Sequence, residues 1–163
     1  MDDLFFLRQA IALGEQSAAQ GFDPFGAVLV KNGQIVASSM DQSIRYGDPT
    51  AHAELVLISE YCRREQLINL RGYTLYANVE PCMMCSGAIH WAKLDRVVFS
   101  VPQSRLQKTS GGRPKPTCAD LLSIGGKKIE VVGPLILEEG EKVLENYQWR
   151  SKQDRFDLYL KDK

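Results

Sequence analysis

The sequence predicts an α/β protein built around a layered sheet. Runs rich in β-branched and aromatic residues alternate with runs whose apolar residues recur at helical spacing, and an Asn-Gly pair separates the first two β-rich runs. Hydrophobic residues make up 44% and charged residues 25% of the 163 residues, close to an average globular chain. Because this length suits one hydrophobic core, we expect a single domain over residues 1–163.

The first elements are predicted to be a helix and a hairpin. Apolar residues recur at helical spacing from Leu4, behind the acidic pair Asp2-Asp3, which predicts a helix to about Gln20. The β-rich runs on both sides of Asn32-Gly33 predict a β-hairpin, since this pair tolerates the positive φ angles of a type I′ turn.

Two further helices carry the residues on which the functional prediction depends. Asp48 as a cap and Pro49 at the first helical position predict a second helix that runs to about Arg64. Pro81 predicts the start of a third helix that ends near Ala92. The strands expected around these helices cover residues 73–77, 96–100 and 129–132.

The last third of the chain is predicted to contain a long loop and two helices. Residues 102–116 are polar and include Gly111-Gly112 and prolines, which predicts a loop. A short helix over 117–123 and a terminal helix over about 138–159 complete the chain. The loop also contains a cationic patch without acidic residues, formed by Arg105, Lys108, Arg113 and Lys115.

The charge balance argues against a dedicated nucleic-acid binder. Twenty Lys and Arg against twenty Asp and Glu give a formal net charge of zero, whereas such binders usually carry a basic excess. The N-terminus lacks a basic stretch followed by an apolar one, and no apolar run approaches the roughly 20 residues that cross a bilayer. We therefore expect a cytoplasmic protein without a membrane partner, in which the four cysteines are thiols or metal ligands.

Three side chains form a candidate zinc site. Cys82 and Cys85 lie three residues apart at a predicted helix start, so they can face one metal ion, and the free N–H groups of that helix end favour thiolates. His52, in the first turns of the preceding helix, adds an imidazole. Three protein ligands leave a fourth zinc position open for water, which distinguishes a catalytic zinc from a structural one. We expect one Zn²⁺ per chain.

Glu54 is the candidate catalytic residue. It follows His52 by two residues, which is about 200° around a helix, so both side chains can serve one site only near the end of that helix. A carboxylate beside an activated water can take its proton and later give it to a leaving amine, which is the requirement of hydrolytic deamination. The combination of His-x-Glu with Pro-Cys-x-x-Cys is typical of zinc-dependent nucleobase deaminases.

Other interpretations of these residues remain open. A lone Cys-x-x-Cys also occurs in redox proteins. Cys62 or Cys118 as a fourth ligand would close the site into a structural zinc, which leaves Glu54 without a role. His90 is interpreted as a pocket-wall or surface residue and is not included among the ligands.

The segments Asp48–Glu54 and Glu80–Ile89 resemble the cytidine and deoxycytidylate deaminase superfamily, in particular bacterial guanine deaminases and tRNA adenosine deaminases. The resemblance extends from about Leu4 to Ser100. It implies a three-layer α/β/α fold with a central mixed five-stranded sheet, usually as a homodimer, and deamination of a nucleobase or nucleoside.

The resemblance also implies substrate contacts. Phe25, within Pro-Phe-Gly-Ala, and Trp91, six residues after the second cysteine, match guanine deaminases and favour an aromatic pocket for a free base. Ala53 and Glu80, within the two motifs, are expected to contact the substrate as well. Asp41 stands where these families usually have an Asn that contacts the base. Because an ionised Asp only accepts hydrogen bonds, the substrate would present an extra donor there, or Asp41 would be held protonated.

The predicted substrate is therefore a free nucleobase or nucleoside, with a guanine-like purine first and cytosine or another amino-substituted heterocycle next. The cationic patch in 102–116 supports an alternative, a tRNA adenosine-to-inosine deaminase, although RNA is not favoured. A third interpretation is a catalytically silent zinc-binding subunit of a heterodimeric deaminase, and the intact Glu54 argues against it. No substrate residues can be carried over by resemblance after Val101.

Overall fold

A five-stranded mixed sheet forms the centre of the protein. The structure, a computed structural model, describes residues 2–126 and 128–163. The strands are β1 (Gly26–Lys31), β2 (Gln34–Met40), β3 (Tyr73–Val79), β4 (Arg96–Val101) and β5 (Glu130–Val132). They lie in the order β2-β1-β3-β4-β5, with β1 antiparallel to β2 and β3, and with β3, β4 and β5 parallel. The predicted α/β fold with a mixed five-stranded sheet is confirmed.

Helices cover both faces of this sheet. In the described residues they are α1 (Asp3–Ala19), α2 (Ser43–Tyr46), α3 (Ala53–Glu65), α4 (Met83–Ala92), α5 (Gln103–Ser110), α6 (Cys118–Ile124), α7 (Leu137–Glu145) and α8 (Lys152–Lys161). One face is packed by α1 and α7, and the other by α3 and α4, with α6 against α4. None of the described helices has the length and hydropathy needed to span a membrane.

Alternate residues of the strands supply two separate cores. In β1, Ala27 and Leu29 pack in the core beneath α3 and α4, whereas Val28 and Val30 pack in the core beneath α1. This follows from the two-residue period of a strand, whose successive side chains point to opposite faces. Because both faces are covered, the strand needs a continuous apolar run rather than an alternating one.

The first helix and the hairpin agree with the prediction. The Asp2 carboxylate caps α1 by accepting a hydrogen bond from the backbone N–H of Phe5 at 3.1 Å. Asn32 and Gly33, with φ angles of 50° and 74°, form the connection between β1 and β2. Positive φ at both turn residues is the requirement of a type I′ hairpin, so this prediction is confirmed.

Both helices that carry the metal motifs begin later than predicted. Asp48 accepts hydrogen bonds from the backbone N–H and hydroxyl of Thr50 at 2.8 and 2.7 Å, so it caps a local turn rather than a helix. The helix α3 instead begins after His52, and α4 begins after Cys82. Both residues have an extended backbone and occupy the N-cap position. A candidate metal ligand therefore lies at each of two neighbouring helix N-termini.

The predicted loop over 102–116 is half helical. Pro102 is the N-cap of α5, and the next helix-breaking residue is Gly111, which ends the helix at a φ of 76°. Without glycine or proline between these two positions, nothing interrupts the helix. The four cations of the patch are exposed, and Arg105 pairs with Glu141 of α7 at 2.7 Å.

The predicted terminal helix over 138–159 is two helices, α7 and α8, separated by residues 146–151. The Ser151 hydroxyl accepts a hydrogen bond from the backbone N–H of Asp154 at 3.1 Å and so caps a new helix. In the intervening segment the rings of Tyr147 and Trp149 pack edge to face, with centroids 4.8 Å apart. The break allows the chain to return across the edge of the sheet that carries the metal motifs.

Candidate active site

His52, Cys82 and Cys85 come together at the N-termini of α3 and α4. One potential ligand atom from each lies within 4.8 Å of the other two. The Nδ1 atom of His52 is 3.5 Å from the Cys82 sulfur and 3.8 Å from the Cys85 sulfur, so Nδ1 is the nitrogen that faces the thiols. One imidazole and two thiols are a donor set that zinc prefers, and the three residues fit one such ion.

The protonation states of the two thiols favour binding of a cation. The contact with the Cys85 side chain, together with the hydrogen bond to His52, outweighs burial and lowers the pKa of Cys82 to about 3. The same contact and burial raise the pKa of Cys85. Cys82 is therefore a thiolate at neutral pH, and Cys85 would lose its proton when a metal ion binds.

The described residues supply three ligands rather than four. Cys62 and Cys118 are free thiols outside the group, and His90 is outside it as well. A fourth protein ligand from these residues, which would make the site purely structural, is therefore not present in the described chain. A three-ligand site keeps the position at which a catalytic zinc holds water.

Glu54 lies beside this group in the first turn of α3. Its carboxylate is buried, and its Oε2 atom accepts a hydrogen bond from the Cys85 thiol at 3.6 Å. Burial raises the pKa of Glu54 to about 7, although the charge of His52 opposes the shift. Because α3 begins at Ala53, His52 lies before the helix and the helical angle between the two residues does not apply. Their side chains can therefore reach the same site although they are only two residues apart.

A cavity of about 200 Å³ opens onto the metal group and Glu54. Its walls include the rings of Phe25 and Trp149, whose centroids are 6.2 Å apart, and the side chain of Leu106. A larger groove of about 690 Å³ lies between α1, α7 and α8, but none of the metal-site residues lines it. The smaller cavity is therefore the candidate substrate site.

Two of the five predicted substrate residues line this cavity. Phe25 forms part of its wall, as the resemblance implied. Glu80 lines it too, but both of its carboxylate oxygens already accept backbone N–H groups, from Gln103 at 2.9 Å and from Cys118 at 2.7 Å. Glu80 thus holds the starts of α5 and α6 against the end of β3, and each of its two carboxylate oxygens already has a partner within the protein.

The other three predicted residues do not line the cavity. Ala53 is buried in the core beneath α3. Asp41 is 1% exposed and accepts hydrogen bonds from the backbone and hydroxyl of Ser43, while its Oδ2 atom is buried without a partner. Trp91 is 78% exposed and borders a different surface groove. In this chain it lies away from the metal group, at the other end of α4.

The cavity residues that were not predicted from the sequence include Asp23, Gln103, Trp149, Lys152 and Arg155. Gln103 had a detectable signal, since it follows β4 just as Glu80 follows the parallel strand β3, and the carboxyl ends of parallel strands meet at one edge. The three C-terminal residues gave no such signal. They reach the cavity only because the chain breaks between α7 and α8 and returns across that edge.

Asp23 connects the C-terminal segment to the site. Its carboxylate, 1% exposed, forms an ion pair with Arg155, lies 3.5 Å from the Lys152 ammonium and accepts a hydrogen bond from the Tyr147 hydroxyl at 3.3 Å. The Lys152 ammonium is also 3.4 Å from the Nε2 atom of His52. The helix α8 has no buried residue, so this polar cluster is a main part of what holds it over the cavity.

Replacing Asp23 by Asn is expected to release α8 from the cavity. The substitution keeps the size of the side chain but leaves Arg155, 10% exposed, without its counter-charge, and breaking a buried ion pair costs about 3 kcal/mol. Amide hydrogen exchange in residues 152–161 should then accelerate by about 100-fold. Asp157→Asn, on an exposed face of α8, is the control. Unchanged exchange in Asp23→Asn would show that other contacts hold the helix.

Fold and site together define a class of protein: a zinc-dependent hydrolase that removes amino groups from nucleobases or nucleosides. The family model for the cytidine and deoxycytidylate deaminase zinc-binding region matches residues 1–101, which is more than half of the chain. The chain belongs to this family.

Relatives with three different substrates are similar to this chain. A probable cytosine deaminase of Schizosaccharomyces pombe is 35% identical over 142 residues, which cover 84% of this chain and 86% of the relative. A tRNA-specific adenosine deaminase of Aquifex aeolicus is 38% identical over 108 residues, covering 66% and 69% of the two chains. The solved guanine deaminase of Bacillus subtilis superposes with a TM-score of 0.66 at 34% identity, covering 69% of this chain and 72% of the other. These similarities support the reaction but do not single out one ring.

Proposed function

We propose that this chain deaminates a free nucleobase, either a guanine-like purine or cytosine. The observation that carries the proposal is the small cavity over Glu54, about 200 Å³, which α8 and the segment before it cover. Pockets for drug-sized molecules usually have volumes of about 300 Å³ or more. A cavity below that size suits a base alone better than a base within a folded RNA. The S. pombe relative, a probable cytosine deaminase matched over 86% of its own length, supports a free base.

The reaction replaces a ring amino group with oxygen: water and the amino-substituted ring give a ring carbonyl and ammonia. Zinc held by His52, Cys82 and Cys85 would supply a Lewis acid that lowers the pKa of water. Glu54 takes one proton from the attacking water and gives it to the adjacent ring nitrogen, and it then carries the second proton from the added hydroxyl to the departing amino nitrogen, so that a ring carbonyl and ammonia result. The aromatic side chains of Phe25 and Trp149 form one wall of the cavity, against which the flat ring packs.

The position of Glu54 suits this proton transfer. A group that both accepts and donates a proton works best when its pKa lies near the working pH, and burial brings the pKa of Glu54 to about 7. Its buried carboxylate contacts Cys85, so it is held next to the metal group rather than in solvent. The intact carboxylate also argues against the catalytically silent subunit.

Ammonia release from a panel of rings tests the proposal. Zinc-loaded protein is incubated with guanine, cytosine, adenine, guanosine, amino-triazines and a tRNA anticodon stem-loop, with Glu54→Ala as the control. Turnover of a free base that the control does not show supports the proposal. Release from the stem-loop alone would replace it with RNA modification.

A tRNA adenosine deaminase is the second candidate function. The Aquifex aeolicus relative supports it, as do the exposed cations Lys108, Arg113 and Lys115 at and after the end of α5. Phosphate contacts would make stem-loop binding fall steeply as salt is added, because bound counterions are released. A free-base enzyme should show no comparable salt dependence, so the same panel at two salt concentrations separates the candidates.

We also propose that Asp41 affects which ring is accepted, although it does not line the cavity itself. Its unpartnered Oδ2 atom is buried, and Ser43 connects Asp41 to Lys152, whose ammonium is 3.0 Å from the Ser43 hydroxyl. Asp41→Asn replaces an acceptor with a donor at nearly constant shape. We expect the ratio of kcat/KM between the two best rings to change by about tenfold. An unchanged ratio would remove Asp41 from substrate selection.

A second copy of this chain is the proposed occupant of an exposed apolar face beside α3 and α4. Trp91, Ile68 and Leu67 are 78%, 91% and 39% exposed, and they border a groove with Leu55 and Ile58. Contiguous exposed apolar surface is typical of an interface, and the resemblance to homodimeric deaminases makes a second copy the occupant.

Trp91→Glu should therefore convert dimers to monomers in sedimentation equilibrium, because it places a charge in the apolar face. Ile124→Glu, at an exposed apolar residue at the end of α6, is the control and should remain dimeric. A native protein that sediments as a monomer would contradict the proposed homodimer.

A further inference from the structure

We infer that Gln103 and Trp149 recognise the edge of the substrate ring: the Gln103 side-chain oxygen accepts a hydrogen bond from it, and the Trp149 indole N–H donates one to it. The inference rests on the proposed function, because it assigns these two residues to the same cavity. Neither lies in the metal motifs, and each has a buried polar atom without a partner.

Trp149 brings an unused donor to the cavity. Its Nε1 atom is buried and has no hydrogen-bond partner, although its side chain lines the cavity together with Glu54. The ring is held by edge-to-face packing against Tyr147 at 4.8 Å and by contact with Phe25 at 6.2 Å between centroids. Buried indole N–H groups usually have a partner, so this donor requires an explanation.

Gln103 brings an unused acceptor to the same cavity. The residue is 4% exposed, and its Nε2 atom donates to the backbone oxygen of Glu80 at 2.6 Å. A carbonyl oxygen can only accept, so this bond fixes which end of the amide faces Glu80. The Oε1 atom of Gln103 is left buried without a partner. The backbone N–H of Gln103 also donates to Glu80, so the residue is held at two points.

Among the described side chains, four polar atoms are buried without a partner, and they belong to Asp41, His90, Gln103 and Trp149. Only Gln103 and Trp149 line the cavity that contains Glu54. A buried donor and a buried acceptor left unpaired on two side chains that line one cavity destabilise the empty site, whereas a ligand with complementary groups would satisfy both.

The pair defines the chemistry of the ligand. The ring must present an N–H or amino group to Gln103 and a ring nitrogen to Trp149. Nucleobases carry both kinds of group on their edges, whereas a ring with acceptors alone would leave Gln103 unsatisfied. Gln103 and Trp149 would therefore select among amino-substituted rings of similar size, separately from the metal group.

Binding of paired ring analogues to two variants tests the inference. Trp149→Phe keeps an aromatic wall without the N–H, and Gln103→Met keeps the length of the side chain without the acceptor. Calorimetry on zinc-loaded Glu54→Ala protein measures affinity without turnover. The probes are guanine with 3-deazaguanine and 7-deazaguanine, and cytosine with 3-deazacytosine, in which C–H replaces a ring nitrogen. Probes that lack one donor are hypoxanthine and 9-methylguanine for guanine, and pyrimidin-2-one and 1-methylcytosine for cytosine.

We expect Trp149→Phe to weaken binding of the parent ring by about tenfold. The affinity for one deaza analogue should stay within about twofold of its value in the protein that keeps Trp149. Gln103→Met should weaken binding of the parent ring by a similar factor of about ten and should leave the affinity for one of the analogues that lack a donor unchanged. Gln34→Met, on the exposed edge of β2, is the matched control and should bind every probe as the parent protein does.

Selective loss separates recognition from a structural role. If a ring is deaminated by the native protein but both variants bind all probes alike, or lose affinity for all of them equally, the inference is overturned while the proposed function stands. If no ring in the panel is deaminated or bound, the proposed function and the inference fail together.

Discussion

Glu54→Ala protein is expected to lose at least about 100-fold in kcat while it retains zinc. The carboxylate contributes the proton transfers of the reaction, and general acid-base groups are worth at least that factor. It does not belong to the group of three metal ligands, so its removal leaves His52, Cys82 and Cys85 in place. The rate should fall on the ring that the native protein deaminates best.

The measurement pairs ammonia release with metal content. Glu54→Gln is the closer isostere, and it should lose a similar factor because an amide cannot take a proton from water at neutral pH. Glu60→Gln, at an exposed position later in α3, is the control. If Glu54→Ala released ammonia at the native rate, the carboxylate would have no part in the chemistry. If it lost zinc, its role would be structural.

The metal group could be predicted from the sequence because all of its members lie in two short segments. The spacing of Cys82 and Cys85 at a helix start is a local property, and so is that of His52 and Glu54. The helix boundaries were less predictable. Asp48-Pro49 has the residue types of a helix cap, but Asp48 uses its carboxylate for a turn with Thr50 instead.

The walls of the substrate cavity could not be predicted, because they depend on how distant segments pack. Asp23 meets Arg155 across more than a hundred residues of chain, and the break before α8 that makes this contact has no strong turn signal. Trp91 is the opposite case. Its spacing after Cys85 matches guanine deaminases, yet the end of α4 leaves its ring on the surface. Motif spacing thus predicted the chemistry, whereas tertiary packing determines the pocket.

Cys85→Ser is expected to remove both zinc and activity, in contrast to Glu54→Ala. Cys85 is fully buried at the start of α4, and a serine hydroxyl stays protonated where the metal requires an anionic ligand. Loss of the Lewis acid, worth several kcal/mol of transition-state stabilisation, should lower kcat by at least about 10³-fold. Metal analysis of the purified variant should find less than one zinc per chain.

Thermal unfolding gives an independent readout, because a metal that binds only the folded state stabilises it by about 4 kcal/mol at a thousandfold excess over its Kd. A chelator should therefore lower the Tm of native protein and of Glu54→Ala but leave Cys85→Ser unchanged. Cys62→Ser, at a half-buried thiol of α3 outside the metal group, should behave as native protein in all three measurements. A Cys85→Ser variant that kept zinc and responded to the chelator would mean that another side chain completes the site. In that case the open position on which the deamination mechanism depends would have to be assigned again.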